Sequence, residues 1–450
     1  MTSSTSSNPA LGTHEPASNA LERDTRRLVG HDSKIAPSEI AIGVIIGRAS
    51  EYFDFFVYGI ASVLVFPAIF FPFEERLEGT LWSFLIFAFA FVARPIGTVL
   101  FMAIQRKYGR SAKLTGALFL LGICTAGIAF LPGYNSIGFT AIVLLSVLRF
   151  GQGIALGGSW DGLASLLALN APENKRGWFA MIPQLGAPIG FLIASGLFAY
   201  LVSSLGQEDF LSWGWRYPFY VAFAINVVAL FARLRLVMTT EFTRLLTERE
   251  LEPTRIRELF RSQGFNVFIG AFAALGSYAL FHLVTVFTLS WVSLYSDQSV
   301  VEFLVVQVIG AALAIVTIIA SGVVADRIGR RRTLFTGAVL IAIFSGFAPT
   351  LLDGGTLGQD VFLLLGFAIL GFSYGQAAGA VTSNFASKYR YTGAALTSDL
   401  AWLVGAGFAP LTALGLSANF GLPWVSVYLL SGAACTIAAL SLNRALEIRD

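Results

Sequence analysis

Charge is scarce in this sequence. Asp, Glu, Lys and Arg make up 13% of its 450 residues, where soluble domains carry roughly 25%. Hydrophobic residues make up 56% and the mean hydropathy is +0.72, so the polar residues that would coat several soluble domains are missing. Much of the surface must face lipid. Cysteine is scarcer still: Cys124 and Cys435 stand far apart in apolar runs, which excludes a disulfide framework or a cysteine metal cluster. Of the three histidines, His14 and His31 lie in a polar N-terminal stretch and His282 stands alone in an apolar run. No metal constellation and no cofactor is expected. The net charge is only +3 and no basic tract is interleaved with aromatics, so nucleic acid is not an expected partner. The N-terminus has no apolar core and does not read as a signal peptide. Its Ser, Thr, Pro and Asn content makes residues 1–37 an expected disordered tail.

What is present is a series of long apolar runs. A bilayer core is about 30 Å thick and takes about 20 apolar residues to cross as a helix. Twelve candidate spans follow, near 38–66, 79–104, 112–131, 138–168, 177–204 and 216–236, then 264–295, 301–324, 334–352, 359–383, 393–417 and 424–443. The expected fold is an all-α polytopic membrane protein with twelve transmembrane helices in two six-helix, pseudo-symmetric halves. These are residues 38–236 and 264–443, joined by a charged loop, 237–263, whose mixed Glu and Arg read as a solvated bracing surface. Residues 444–450 form a second short tail.

Positive charge is concentrated in one set of connections: Arg106, Lys107, Arg110 and Lys113, then Lys175 and Arg176, the central loop, Arg327 and Arg330 to Arg332, then Lys388 and Arg390; the other set carries little, Arg76 and Arg216 at the edge of the sixth span. By the positive-inside rule that side, with both termini, is expected in the cytoplasm of a bacterium. Trp82, Trp213, Trp215, Trp291 and Trp424 fall near the opposite ends, as an aromatic belt would.

The halves repeat. "KYGR" at Lys107 returns as "RIGR" at Arg327, and "RFGQG" at Arg149 returns as "SYGQA" at Ser373. Parallel six-helix repeats with a central loop characterise transporters, whose site lies near the midplane between the halves.

Ionisable residues inside the spans each cost roughly 2.5–3.5 kcal/mol against lipid, so they must face one another or water. They are Arg48, Glu51 and Asp54 in the first span, Arg94 in the second, Arg149 and Asp161 in the fourth, His282 in the seventh and Asp399 in the eleventh. At about 100° per residue, Arg48, Glu51, Asp54 and Tyr58 form one polar stripe within "EYFDFFVYG" and the turn before it. A structural Arg48–Glu51 pair is one reading. The other is a cavity-lining stripe in which neighbouring carboxylates resist double ionisation and carry a proton. Arg149, with Gln152 near its face, either neutralises those carboxylates for folding or senses the carrier's charge and an anionic substrate, for which a planar guanidinium is suited. Gly153 and Gly157, like Gly186 and Gly190, are spaced for close helix packing. His282 reads either as a hydrogen-bonded core residue or as part of the pocket. Asp161 reads as a cap or a gate.

The runs "EYFDFFVYG", "ARPIG" (Ala93 to Gly97), "RFGQGIALGGSW" (Arg149 to Trp160), "PQLGAPIG" (Pro183 to Gly190), "GVVADRIGRR" (Gly322 to Arg331) and "RYTGAAL" (Arg390 to Leu396) together resemble the major facilitator superfamily. Within it they resemble the metabolite:proton symporter family, over about residues 40–420. The resemblance implies alternating access and proton-coupled uptake of small acids or zwitterions: di- and tricarboxylates, shikimate-like and aromatic acids, betaine or proline. It implies no enzymatic activity. The expected partners are a small organic anion or zwitterion, protons and the lipid bilayer, with the chain a monomer.

Asp54 and Glu51, with Arg149 as their charge partner, are the expected proton-coupling residues. Arg48, Tyr58, Gln152, His282, Tyr374, Gln376 and Asp399 are the expected substrate-binding residues. Gating is expected of Arg94, Arg106, Arg110, Asp161, Gly322, Asp326, Arg327 and Arg330. The chain departs from the family pattern where Met102 and Arg106 replace a Gly and an Asp of the first-half loop, and where Ser159 replaces a Glu. Arg48 replaces a small or polar residue and Asp399 an amide. The rival readings are a proton-antiport exporter of amphipathic compounds and a non-transporting membrane sensor or scaffold.

Overall fold

A computed structural model describes residues 37–159, 162, 164, 165, 167, 171–237, 251–377 and 385–442. The expected gate residue Asp161, the two tails and residues 238–250 of the central loop lie outside the described residues. Ten described segments are long and apolar enough to cross a membrane. One of them, Arg76–Phe130, is two helices meeting at Gly109. The charged Pro37–Leu64 adds another span of 28 residues, which makes twelve. They are α1 (Pro37–Leu64), α2 (76–108), α3 (110–130), α4 (Phe139–Gly158), α5 (Glu173–Ser204) and α6 (Tyr217–Val237). After the loop come α7 (Ile256–Phe272 and Leu275–Tyr295), α8 (Val300–Ile328), α9 (Arg330–Leu352), α10 (Gly355–Tyr374), α11 (Arg390–Phe420) and α12 (Pro423–Leu442). Proline opens α1 and α12, where its fixed φ suits a first turn and its missing N–H costs nothing.

The internal repeat has a conformational basis. Gly109 and Gly329, the glycines of "KYGR" and "RIGR", both take φ +89°, which an L side chain rarely adopts. Each reverses the chain between two helices at the basic end of the molecule. Gly153 and Gly157 let α4 lie directly on α2: a Cβ on Gly157 would stand 2.5 Å from the Thr98 nitrogen. One tryptophan leaves the expected belt. Trp215 is fully buried against Phe66, Phe70 and Phe219, because the turn before α6 folds inward, whereas Trp82, Trp213 and Trp424 are exposed.

Two helices of the second half widen by one π turn. In α7 it spans Leu283–Phe287 and in α11 Leu403–Gly407. Each begins immediately after a buried ring, His282 and Trp402 respectively.

The halves meet along α5 and α8, and where α2 and α1 face α7 and α11. At the basic end, Asp326 of α8 accepts from the Gly177 and Trp178 nitrogens at 2.7 and 3.2 Å, and Gln376 donates to the Gly177 oxygen at 3.2 Å. Gly322 provides the room: a Cβ there would stand 2.8 Å from Met181. The first-half counterpart is built differently, because Arg106 stands where an Asp is expected. Lys113 donates to the Tyr391 hydroxyl, which donates to Gln105, each at 3.0 Å. Arg106 donates to the Thr254 oxygen at 3.4 Å, and the Thr254 nitrogen donates to Thr392 at 2.9 Å. The central loop thus threads the seam, with Leu251 fully buried. Arg110 is half-buried at this turn, Arg330 is buried and Arg327 exposed. The opposite end is closed too, by Arg76 to Ser293 at 2.6 Å and by Ser195 to the Leu304 oxygen at 3.2 Å.

Candidate functional site

A small cavity lies between the halves, lined by Arg48, Glu51, Tyr52, Phe55, Phe91, Arg94, Leu156 and Trp402. Its volume is about 20 Å³, enough for little more than one water. Among the described residues, contacts between the halves stand at both ends of it.

Three ion pairs, centred on two carboxylates, stand at the polar edge of this cavity. Glu51 accepts from Arg48 at 3.0 Å and from Arg233 of α6 at 2.7 Å. Arg94 donates to Asp399 of α11 at 2.7 Å. The Thr98 hydroxyl touches the other Asp399 oxygen and lies 3.0 Å from the Gly157 carbonyl. Asp399 and Arg94, expected in different roles, are therefore one contact between the halves. The opposite edge is aromatic. Tyr52 stacks on Phe56 and lies 5.9 Å from Trp402, and its hydroxyl meets that of Tyr374 at 2.5 Å across the halves.

Asp54 faces the other way, into its own half. Both its oxygens accept from the Thr125 hydroxyl, at 2.9 and 3.0 Å. Thr125 accepts from Gln152 at 2.9 Å, and Gln152 accepts from Arg149 at 3.0 Å. The expected charge partnership is thus a relay: Arg149 makes no ion pair with Asp54 or Glu51. Its guanidinium lies 3.9 Å from the centroid of the Tyr58 ring, 4.9 Å from Phe87 and 5.2 Å from Phe55, a desolvated cation–π setting. Asp54 is 2% exposed and, among the described residues, has no cation in ion-pair reach.

The polar stripe of α1 is therefore split. Arg48 and Glu51 border the cavity, while Asp54 and Tyr58 line a buried network behind it. His282 is enclosed by Phe55, Phe87, Phe91, Phe281 and Trp402, with one ring nitrogen 3.4 Å from Thr285 and the other unpartnered. Gln376, expected in the pocket, sits in the α5–α8 seam instead, because the turn after Tyr374 carries it past the midplane. Sequence reasoning missed Arg233 and Thr125. Arg233 falls in the last turns of an apolar span and reads as a snorkelling end residue. Its signal is Gly47, whose missing side chain makes the space through which Arg233 reaches Glu51. Among the described residues no group of His, Cys, Asp and Glu is placed to hold a metal.

Twelve spans in two repeats, with a charged and aromatic pocket between them, are the architecture of a membrane transporter. Residues 52–398 match the Major Facilitator Superfamily, and the chain belongs to it. It is a transporter family, not an enzyme family. The chain is 36% identical over 432 residues to the inner membrane metabolite transport protein YhjE of Escherichia coli (strain K12), covering 93% of this chain and 98% of that one. It is 33% identical to the shikimate transporter of the same strain, covering 89% and 92%. Its fold is that of the proton:xylose symporter XylE, with a TM-score of 0.68 at 16% identity over 90% of this chain and 94% of that chain.

Proposed function

We propose that this chain is a proton-coupled symporter that carries a small carboxylate-bearing metabolite into the cytoplasm. It would sit in the inner membrane of a bacterium, with its basic end and both termini in the cytoplasm. The observation that carries the reading is the division of labour along α1. Arg48 borders the cavity between the halves, where a guanidinium can hold a carboxylate through two parallel hydrogen bonds. Nearly two turns further, Asp54 is buried and accepts from the Thr125 hydroxyl. Protonating it removes a buried charge and breaks no direct ion pair. Substrate and proton thus have separate seats on one helix, joined through the helix itself. The aromatic wall of Tyr52, Phe55, Phe91 and Trp402 suits the apolar body of such a molecule.

The test is uptake by proteoliposomes of shikimate, succinate, proline and glycine betaine, with an imposed inward pH gradient and with the gradient collapsed by a protonophore. Accumulation of at least one of the four that disappears with the gradient supports the reading. Uptake that ignores the gradient, or a gradient that drives efflux, sinks it.

A further inference from the structure

The two cavity cations differ in what their release would cost. Arg94 pairs with Asp399, and among the described residues Asp399 has no second cation in ion-pair reach. A substrate taking Arg94 would leave a buried carboxylate held by Thr98 alone, a state that removal of one partner from a buried pair makes strongly unfavourable. Arg48 is different. Its carboxylate, Glu51, is also held by Arg233, and by the shorter of the two contacts. Of the two cations on Glu51, Arg48 is the more exposed, at 18% against 6% for Arg233, and it is the one that lines the cavity.

We propose that Arg48–Glu51 is an exchangeable ion pair, and that Arg233 is the positioning residue that makes it so. An incoming carboxylate takes Arg48, and Glu51 stays neutralised by Arg233. Glu51 keeps a counter-ion throughout, because Arg233 still holds it. Glu51 is then a stand-in for the substrate's own carboxylate, keeping Arg48 satisfied while the cavity is empty. The inference rests on the carboxylate reading above and adds the identity of the competitor and of its keeper. The packing supports it independently. Arg233 crosses α1 over Gly47, where an added Cβ would stand 2.5 Å from its Nε and 2.6 Å from its Nη2. Gly47 and Glu51 are four residues apart and so lie on one helix face.

The test uses the purified full-length chain in detergent. Thermal stabilisation by shikimate, succinate, proline and glycine betaine is titrated, since a ligand that binds the folded state raises its apparent stability. In the parent at least one ligand stabilises, and Arg48→Gln weakens that ligand about tenfold or more. Arg233→Gln should also weaken it by about tenfold, because leaving Arg48 now strands Glu51. Adding Glu51→Gln to Arg233→Gln should restore the affinity to within about threefold of the parent, since no competitor remains. Glu51→Gln alone should bind at least as tightly as the parent, and Arg233→Lys should rescue in part.

Gly47→Ala keeps every charge but displaces the Arg233 guanidinium. It should reproduce the weakening, and Glu51→Gln should cure it; this pair of variants decides the matter if Arg233→Gln does not fold. If no ligand stabilises the parent, or Arg48→Gln binds as the parent does, the carboxylate reading falls and the exchange with it. If Arg48→Gln weakens binding but Arg233→Gln and Gly47→Ala do not, or if Glu51→Gln fails to rescue them, the exchange alone is overturned. A purely structural Arg233 gives that last result.

Discussion

Arg94 of α2 and Asp399 of α11 meet at 2.7 Å, 305 residues apart in sequence, and form an ion pair between the two halves beside the cavity. Thr98, one turn along α2, holds the second oxygen of Asp399. The pair is formed in this structure. It must break whenever α2 and α11 separate toward the basic end.

Asp399→Asn should therefore favour the state open at the basic end. Removing one member of a buried pair costs about 3–5 kcal/mol, and opening the seam hydrates the stranded Arg94. The measurement is maleimide labelling of a cysteine placed at the buried Thr392, in a background lacking Cys124 and Cys435. Faster labelling than in the parent is expected, with the exchanged pair Arg94→Asp, Asp399→Arg returning toward the parent rate. Equal rates in all three would show that the pair does not hold the seam.

Asp54→Asn should abolish accumulation driven by a pH gradient while sparing substrate counterflow, because exchange needs no net proton movement. A gradient of one pH unit is worth about 1.4 kcal/mol, or roughly tenfold accumulation per proton. The mutant should fall to none. Glu51→Gln should keep most of the driven accumulation, since Glu51 is clamped between Arg48 and Arg233 and not free to take the proton. The opposite pattern would make Glu51 the carrier.

Much of the architecture was legible. A 20-residue apolar window finds helices because lipid demands it, and the "KYGR" and "RIGR" turns marked the repeat that Gly109 and Gly329 now express with one φ value. The ionisable residues at depth were legible for the same reason: lipid makes each of them expensive. Their pairing was not. Arg233 reaches Glu51 across 182 residues and Tyr52 meets Tyr374 across 322, and no local periodicity encodes which helices become neighbours. Thr125 was invisible because a hydroxyl in an apolar helix is ordinary, until the packing of α3 on α1 sets it against Asp54. Trp215 misled for a simpler reason: a tryptophan at a helix end can turn inward as well as outward.

Gly157→Ala should destabilise the protein by about 1–3 kcal/mol, a small-to-large change at a contact with no room. The new Cβ meets the Thr98 nitrogen and the Gly97 carbon, which are backbone and cannot rotate away. A lowered midpoint in a thermal-unfolding assay checks this. Gly346, where a Cβ meets nothing within 4 Å, is the control, and an equal effect at both positions would refute the packing argument.

The loop contact outside the membrane should respond to pH. Hydrogen bonds from Lys388 and then Tyr389 hold the Glu258 carboxyl below its ordinary value. A depressed carboxylate stabilises the folded state above its unfolded pKa of 4.5, and that contribution fades as pH falls through the lower folded value. The thermal midpoints of the parent and Glu258→Gln should therefore differ at pH 7 and converge as pH drops below about 4.5. The gap should be small, since the pair is solvent-exposed. A gap that widens on acidification would reverse the sign of the argument.

The π turns after His282 and Trp402 give the second half something that α1 to α6 lack among their described residues. A π turn is one surplus residue held in a helix. Passing it one step along costs a few hydrogen bonds exchanged for others of the same kind, and it swivels the intervening side chain by about 100° without moving either end of the helix. His282 and Trp402 are the side chains such a step would reach first. One half can then act as a stiff anvil carrying the charges, while the other re-aims the rings that close over them.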